Sequence, residues 1–302
     1  DSYQVVTNKI VALMEEHGTG WTKPWIGKGG SGARPVSVTT GKAYTGINPL
    51  LLWDTPFQDA RWGTYKAWSD KGGQVRKGEK GTHIVFFKAL DIRDKKTGED
   101  KIIPFLRLIP LFNAEQIEGI APLDVREAPE SPAEADERVQ AAIAFAINTG
   151  GDIRITAGSD RAYYSPVVDK VVVPSIEDFV GTATSSAQES FAATLLHEII
   201  HWTGHAKRLA RVQTGSFGSE DYAKEELVAE IGATFLCADL GITSEPRADH
   251  AQYLNAWIKE LKHDKRLIVQ AASKAGKAAE YLHSLQPGAA KEERDEDQVQ
   301  AA

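Results

Sequence analysis

The 302-residue sequence contains one cysteine, Cys237, and one methionine, Met14. A single cysteine excludes internal disulfide bonds and any cysteine-based zinc cluster. Apolar runs are short: the one at 102–112 is interrupted by two prolines and an arginine, so it cannot cross a bilayer. Residues 1–16 have the pattern of an amphipathic helix with acidic residues, not that of a signal peptide. We therefore expect a cytoplasmic protein that has no membrane partner.

Basic residues are unevenly distributed along the chain, whose net charge is −7. Residues 1–120 carry 17 Lys and Arg against 13 Asp and Glu, whereas the remainder carries 18 against 29. Such a difference between halves indicates that only the first half meets a polyanion. We predict a first domain at 1–120, a proline-containing linker at 121–134, a second domain at 135–286 and a disordered acidic tail at 287–302.

The periodicity of hydrophobic residues differs between the two halves. The first half combines a helical pattern at 3–16 with glycine-rich turns and two strand patterns, at 83–88 and 102–112. The second half is mainly helical, with strand patterns only at 153–155, 167–168 and 171–173. The predicted fold class is α+β, with a small α+β domain followed by a mainly helical one.

The segment His197-Glu198-Ile199-Ile200-His201 has the pattern HExxH within an apolar run that contains no proline. Residues four apart lie one above the other on a helix, so His197 and His201 point the same way and can bind one metal ion. Glu198 is then placed to act as the catalytic base on a metal-bound water. The alternative, in which the histidines merely lie on a core helix, stays open.

Two histidines do not complete a catalytic zinc site, which normally has three protein ligands and a water. The extended pattern HExxHxxGxxH matches as far as Gly204, but Lys207 takes the place of the third histidine, and no methionine follows. A carboxylate on a second helix is the other source of a ligand. Glu226 and Glu230 are four residues apart and share one helical face, so both are candidates.

These paired segments resemble the thermolysin-like gluzincins, whose second helix carries a ligand glutamate and, four residues later, an acid bonded to a ligand histidine. The resemblance implies that Glu226 is the third ligand and that Glu230 orients His197. It also implies Zn²⁺ as the cofactor, with Mn²⁺ as an alternative. The reverse assignment, with Glu230 as the ligand, stays open because the connecting loop is longer than in thermolysin. Tyr222 and His205 are candidate oxyanion donors.

The segment 61–88 carries seven basic residues against two acidic ones, with aromatic residues between them. Cations for phosphates beside aromatic faces for bases are typical of single-strand binding. Half or more of the aromatic residues should nevertheless be core, and we expect this of Trp53, Phe86 and Phe87. The residues predicted to contact single-stranded DNA are Trp21, Trp25, Tyr44, Asn48, Trp62, Trp68, Arg76, Lys77 and Lys80.

Three segments, 44–53, 61–65 and 73–81, are similar to the N-terminal domain of ArdC-type antirestriction proteins. The segments 197–204 and 225–230 extend the resemblance over nearly the whole chain. It implies a domain that binds single-stranded DNA followed by a zincin-like, gluzincin-type metallopeptidase domain. It also implies a role in conjugative plasmids, where the family protects incoming DNA from host restriction and a protein of the restriction system is a candidate substrate.

Three rival functions remain open from the sequence. The protein could be chiefly a peptidase that cuts a host DNA-binding protein, with the first half only delivering it to DNA. The metal could be structural, so that antirestriction needs no hydrolysis. The protein could also be a replication or primase accessory, although no acidic site for polymerisation is visible.

Overall fold

The computed structural model describes residues 1–18, 21, 33–93, 100–121, 123, 132–181, 185–213, 219–242 and 251–289. The helices are α1 (Ser2–His17), α2 (Asn48–Trp53), α3 (Tyr65–Asp70), α4 (Pro132–Asn148), α5 (Ala187–Thr203), α6 (Glu220–Leu240), α7 (Ala251–His263) and α8 (Leu267–Ser284). The strands are β1 (Val36–Ser37), β2 (Arg61–Gly63), β3 (Gln74–Val75), β4 (Thr82–Arg93), β5 (Asp100–Asn113), β6 (Ile117–Glu118), β7 (Asp152–Thr156), β8 (Tyr163–Ser165) and β9 (Lys170–Pro174). The predicted α+β class is confirmed. Most of the predicted linker and tail lies outside the described residues.

A four-stranded sheet of order β1-β2-β5-β4 organises the first half. Strands β4 and β5 form a long antiparallel hairpin, and β2 pairs with the end of β5. Buried side chains from α2, β2 and β4, including Leu52, Trp62 and Ile84, pack together on this sheet. A second, two-stranded sheet joins β3 to β6 beside α3.

Helix α1 packs against α7 in the second half, and its buried face belongs to the same hydrophobic cluster as α5, α6 and α8. The Thr7 hydroxyl donates a hydrogen bond to the carbonyl of Lys265 at 2.8 Å. The Trp21 ring meets that of Trp257 edge to face, with 6.4 Å between centroids. The two predicted domains therefore share one core at this junction, and the boundary near residue 120 stays a prediction.

Helix α5 begins at a capping box and is buried along most of its length. The Ser186 hydroxyl accepts from the backbone N–H of Glu189 at 3.1 Å, and the Glu189 carboxylate accepts from the Ser186 N–H at 2.9 Å. A three-stranded sheet of order β7-β9-β8 packs on α5, with β7 and β9 parallel and β8 antiparallel at the edge. No helix of the described chain is long and apolar enough to cross a membrane.

Helix α6 lies between α5 and α8 and is buried from Glu225 to Cys237. It begins at Ser219, whose hydroxyl accepts from the Tyr222 N–H at 3.2 Å. It ends at Gly241, whose φ of +66° is the left-handed conformation that favours glycine. The packing of α6 on α5 places the acidic residues of one helix opposite the histidines of the other.

Candidate metal centre and nucleic-acid face

The side chains of His197, His201 and Glu226 converge at one buried point between α5 and α6. The two Nε2 atoms lie 3.2 Å apart. One oxygen of Glu226 is 3.4 Å from Nε2 of His197, and the other is 3.4 Å from Nε2 of His201. All three side chains are buried, and their ligand atoms lie within 4.8 Å of one another. Two imidazole nitrogens and a carboxylate oxygen in this arrangement can hold a divalent metal ion.

Glu230 approaches His197 from the opposite edge of the ring. Its Oε2 atom lies 3.8 Å from Nδ1 of His197, the nitrogen that does not face Glu226. Both carboxylates are buried, but only Glu226 faces both Nε2 atoms. The two acidic residues that the sequence leaves as alternatives therefore occupy different positions around the histidine.

A third carboxylate, that of Glu225, lies beside Nδ1 of His201, just as Glu230 lies beside Nδ1 of His197. Its Oε1 atom is 3.4 Å from Nδ1 of His201, and Arg211 donates to the same oxygen at 2.7 Å. The sequence does not distinguish Glu225 from its neighbours. The available signal is that each ligand histidine needs a partner for its second ring nitrogen, and Glu230 lies beside that nitrogen of His197.

The electrostatics of the cluster favour positive charge where the Nε2 atoms meet. Burial lowers the pKa of His197. Burial also opposes protonation of His201, but the Glu226 and Glu225 carboxylates outweigh it and raise the pKa of His201 to about 10. Burial would raise the pKa of Glu226, yet the two histidines hold it well below its usual range. A divalent cation can supply the positive charge that these carboxylates otherwise draw from a proton.

Glu198 and one of the two candidate oxyanion donors, Tyr222, lie beside this cluster. Glu198 is 3% exposed, and its charge acts on both histidines. Burial and the Glu226 carboxylate raise the pKa of Tyr222, which hydrogen-bonds both Tyr253 and Glu226. His205 instead accepts a hydrogen bond at Nδ1 from the backbone of Lys207, at 3.1 Å. Of the two donors, Tyr222 is therefore the one in contact with a metal-facing side chain.

The structure buries three of the tryptophans predicted to stack on DNA bases. Trp21 and Trp68 are each 1% exposed, and Trp62 is 2% exposed. The indole N–H of Trp68 donates to the carbonyl of Phe112 at 2.9 Å. A ring enclosed by the core offers no face to a base, so this conformation does not favour the stacking role of these three residues, which stays a prediction. Trp25 lies outside the described residues.

Tyr44 and Asn48 are half-buried and already have partners in the fold. Asn48 joins α2 to β4, because its amide donates to the Val85 carbonyl at 2.9 Å and its oxygen accepts from the Val85 N–H at 2.8 Å. The Tyr44 hydroxyl lies 3.5 Å from the Trp62 carbonyl, and burial raises its pKa to about 12. Their predicted contacts with DNA stay predictions.

The predicted cations and two other aromatic residues are on the surface. Arg76, Lys77 and Lys80 are exposed in the turn between β3 and β4, where Arg76 pairs with Glu79 at 3.0 Å. Phe87, expected in the core, is 47% exposed, and Tyr65 is 52% exposed. The other two side chains expected in the core, Trp53 and Phe86, are only partly buried. Aromatic composition therefore did not reveal which rings face solvent.

Comparisons with known proteins cover both halves of the chain. Residues 1–112 match the family described as the N-terminal domain of anti-restriction factor ArdC, and residues 140–274 match the zincin-like metallopeptidase family. The chain is 37% identical to an uncharacterized protein, y4eC, of Sinorhizobium fredii (strain NBRC 101917 / NGR234), over 97% of this chain and 95% of that one. It is 35% identical to the Escherichia coli DNA primase TraC over 93% of this chain, but spans only 20% of that protein.

Two crystal structures of the antirestriction protein ArdC from plasmid R388 share this fold. The metal-free structure is 39% identical, with a TM-score of 0.76 over 94% of this chain and 97% of that one. The Mn(II)-bound structure is 38% identical, with a TM-score of 0.73 over 97% and 100%. Because sequence and fold agree over nearly the whole length of both chains, this protein belongs to the ArdC family of antirestriction proteins, with a zincin-like domain in its second half.

Proposed function

We propose that this protein binds single-stranded DNA through its first half and protects incoming DNA from host restriction, and that its second half is a metal-dependent peptidase. The observation that carries the proposal is the convergence of His197, His201 and Glu226 beside Glu198, in a chain of the ArdC family. Two imidazoles, one carboxylate ligand and an adjacent glutamate are the protein groups that metal-dependent amide hydrolysis requires.

In this proposal the metal ligands are Nε2 of His197, Nε2 of His201 and a carboxylate oxygen of Glu226. The Glu230 carboxylate lies 3.8 Å from Nδ1 of His197, where it would orient the ring so that the Nε2 lone pair is left for the metal. Zn²⁺ suits a set of two nitrogens and one oxygen with a fourth position for water. Mn²⁺ is the alternative, supported by the Mn(II)-bound structure of the related ArdC.

Glu198 carries the proton transfers of the proposed reaction. A divalent metal at this site would lower the pKa of a water and polarise the scissile carbonyl. Glu198 takes the proton of the attacking water and delivers it to the leaving amine. Its burial excludes bulk water from this exchange. Tyr222, which hydrogen-bonds Glu226, is the better placed of the two candidate donors to the oxyanion.

The proposed DNA contacts are cations in the turn between β3 and β4 together with exposed aromatic rings. Arg76, Lys77 and Lys80 face solvent and supply contacts to phosphates. Tyr65 and Phe87 are exposed and replace the buried tryptophans as stacking candidates. The Tyr65 hydroxyl accepts a hydrogen bond from Gln74 at 2.6 Å, which brings it near the basic turn. Stacking on such rings stabilises binding by about 1–3 kcal/mol per base.

Glu198→Gln tests the catalytic part, because it keeps the shape of the side chain and removes the base. The variant should bind metal as the parent does and lose peptide hydrolysis. Equal hydrolysis by both proteins would refute the role of Glu198.

A mobility-shift assay tests the proposed DNA binding by comparing the full chain on single-stranded and duplex oligonucleotides of one sequence. No preference for the single strand would refute it.

The same variant separates the rival functions. If Glu198→Gln protects DNA as well as the parent, the peptidase activity is dispensable for antirestriction. If protection is lost while DNA binding persists, the protein acts chiefly as a peptidase on a host protein. The partial match to the primase TraC favours a replication accessory as a second candidate. That role predicts DNA binding without any protection from restriction.

A further inference from the structure

The chain that follows α5 turns back and contacts the last turn of that helix. Gln213 donates to the carbonyl of His201 at 2.7 Å. Arg211 donates to the carbonyl of Ile200 at 2.7 Å and to the hydroxyl of Thr203 at 2.7 Å. The last carbonyls of a helix have no intrahelical partner. These two side chains therefore complete the end of the helix that carries both metal-facing histidines.

The same guanidinium also holds Glu225 with two of its nitrogens. Nε of Arg211 lies 3.1 Å from Oε2 of Glu225, and Nη2 lies 2.7 Å from Oε1. Gln213 adds a third donor to Oε1 at 3.2 Å. The Arg211 side chain is only 5% exposed. Because the fork engages both oxygens, Glu225 is fixed with Oε1 toward Nδ1 of His201.

Gly204, the residue that caps the end of α5, allows this loop to close on the helix. Its carbonyl accepts a hydrogen bond from the backbone N–H of Arg211 at 2.9 Å. A Cβ built at Gly204 would lie 2.5 Å from Nε2 of Gln213 and 3.0 Å from Nη2 of Arg211. A side chain at this position would therefore displace both groups that hold Glu225.

We propose that Arg211 is a positioning residue for the metal centre, and this inference rests on the ligand set proposed above. Arg211 holds Glu225 as the acceptor for Nδ1–H of His201, so that Nε2 of His201 keeps its lone pair for the metal. It also keeps the Glu225 carboxylate from coordinating the metal, so that Glu226 is the carboxylate ligand. Without the guanidinium, Glu225 would be a buried carboxylate beside the histidine, free to compete for the ion.

The test measures the dissociation constant for Zn²⁺ by chelator competition in the full chain, for Arg211→Met, Glu225→Gln and the double variant. Each single variant should raise the dissociation constant by about tenfold or more. The double variant should bind no more weakly than the more impaired single variant, because Arg211 acts through Glu225. Thermal unfolding in the presence of chelator reports separately on the loss of the contacts to Ile200 and Thr203.

Arg34→Met is the matched control. Arg34 makes a similar two-point contact with Asp239 on α6, at 2.6 Å for both hydrogen bonds, but Asp239 lies 13 residues beyond Glu226. This variant should lower the unfolding temperature and leave the dissociation constant for Zn²⁺ unchanged. An equal loss of metal affinity in Arg34→Met and Arg211→Met would overturn the inference, since it would show that any loss of fold stability weakens metal binding.

Two further outcomes would overturn the positioning role. One is an unchanged dissociation constant in Arg211→Met, and the other is additive losses in the double variant. If Arg211→Met does not fold, Arg211→Lys and Glu225→Gln decide the question through the visible spectrum of bound Co²⁺, which reports ligand geometry. An unchanged spectrum in both variants refutes the proposal. A parent protein that binds no metal refutes the ligand set itself, and the inference with it.

Discussion

Gly232 of α6 lies directly against Ile200 of α5. A Cβ built at Gly232 would be 2.8 Å from Cδ1 of Ile200 and 3.0 Å from two other carbons of that side chain. Ile200 is fully buried and immediately precedes His201. Because glycine has no side chain, α6 can approach α5 this closely at Gly232. That spacing brings Glu226 within reach of both histidines.

We expect Gly232→Ala to lower the free energy of unfolding by about 1–3 kcal/mol, because the new methyl group overpacks a well-filled contact. The affinity for Zn²⁺ should fall as well, since α6 must move away from α5. Urea denaturation and chelator competition measure the two effects. Gly276→Ala on α8 is the control, because its Cβ would meet nothing nearer than 3.4 Å. A Gly232→Ala protein with parental stability and affinity would show that this contact does not set the spacing.

The positions of Glu226 and Glu230 predict different effects on metal binding. Glu230→Gln should raise the dissociation constant by about 10–100-fold, as expected for the partner of a ligand histidine. Glu226→Gln should raise it further, because Glu226 faces both Nε2 atoms. Chelator competition on the two variants gives the order. The reverse order would assign the ligand to Glu230.

Lys77 and Lys80 should contribute to DNA binding through phosphate contacts. Replacing either with glutamine should weaken binding to single strands of any sequence and reduce the slope of log K against log salt concentration by about 0.7. Fluorescence anisotropy at several salt concentrations measures that slope. Lys274→Gln, at an exposed position on α8, is the control and should leave it unchanged. Unaltered slopes in all three variants would place the DNA contacts elsewhere.

Asp169 should make the fold sensitive to acid. Hydrogen bonds from Arg208, one of them at 3.0 Å, hold the pKa of Asp169 at about 2. A lowered pKa means that the stabilisation is complete above the ordinary value of 3.8 and is lost as the pH falls toward about 2. Asp169→Asn should therefore cost stability at pH 5 and much less near pH 2.

Urea denaturation across this pH range checks the prediction. Asn tolerates the positive φ of +51° at position 169, so the substitution tests charge and not backbone strain. Asp160→Asn is the control, because the Asp160 side chain is 93% exposed. An equal loss of stability at both pH values in Asp169→Asn would contradict the prediction.

Features that depend on local spacing were predictable from the sequence. The helix with HExxH and the helix with Glu226 and Glu230 could be placed from the sequence. Helical periodicity and the four-residue spacing depend only on residues that are close together in the chain. Strand β8 was not predicted, since Tyr163–Ser165 is too short to show alternation. Glu225 was not distinguished because its role depends on Arg211, which lies on a loop outside both helices.

The exposure of the aromatic residues, in contrast, could not be predicted from the sequence. The same rings serve for stacking on bases or for packing in a core, so composition does not separate the two uses. Trp21, Trp62 and Trp68 are buried, whereas Phe87 and Tyr65 are exposed. Which ring faces solvent depends on the helices and strands that cover it, and those come from distant parts of the chain.

The sequence by itself determined the fold class and the residues from which a metal site can be built, because these follow from periodicity and short motifs, and its resemblance to known sequences indicated the family. The tertiary structure alone decided how α1 joins the core of the second half and which carboxylate faces which ring nitrogen. It also decided that Arg211 reaches Glu225. Contacts between residues far apart in the chain depend on packing, and packing is a property of the whole fold.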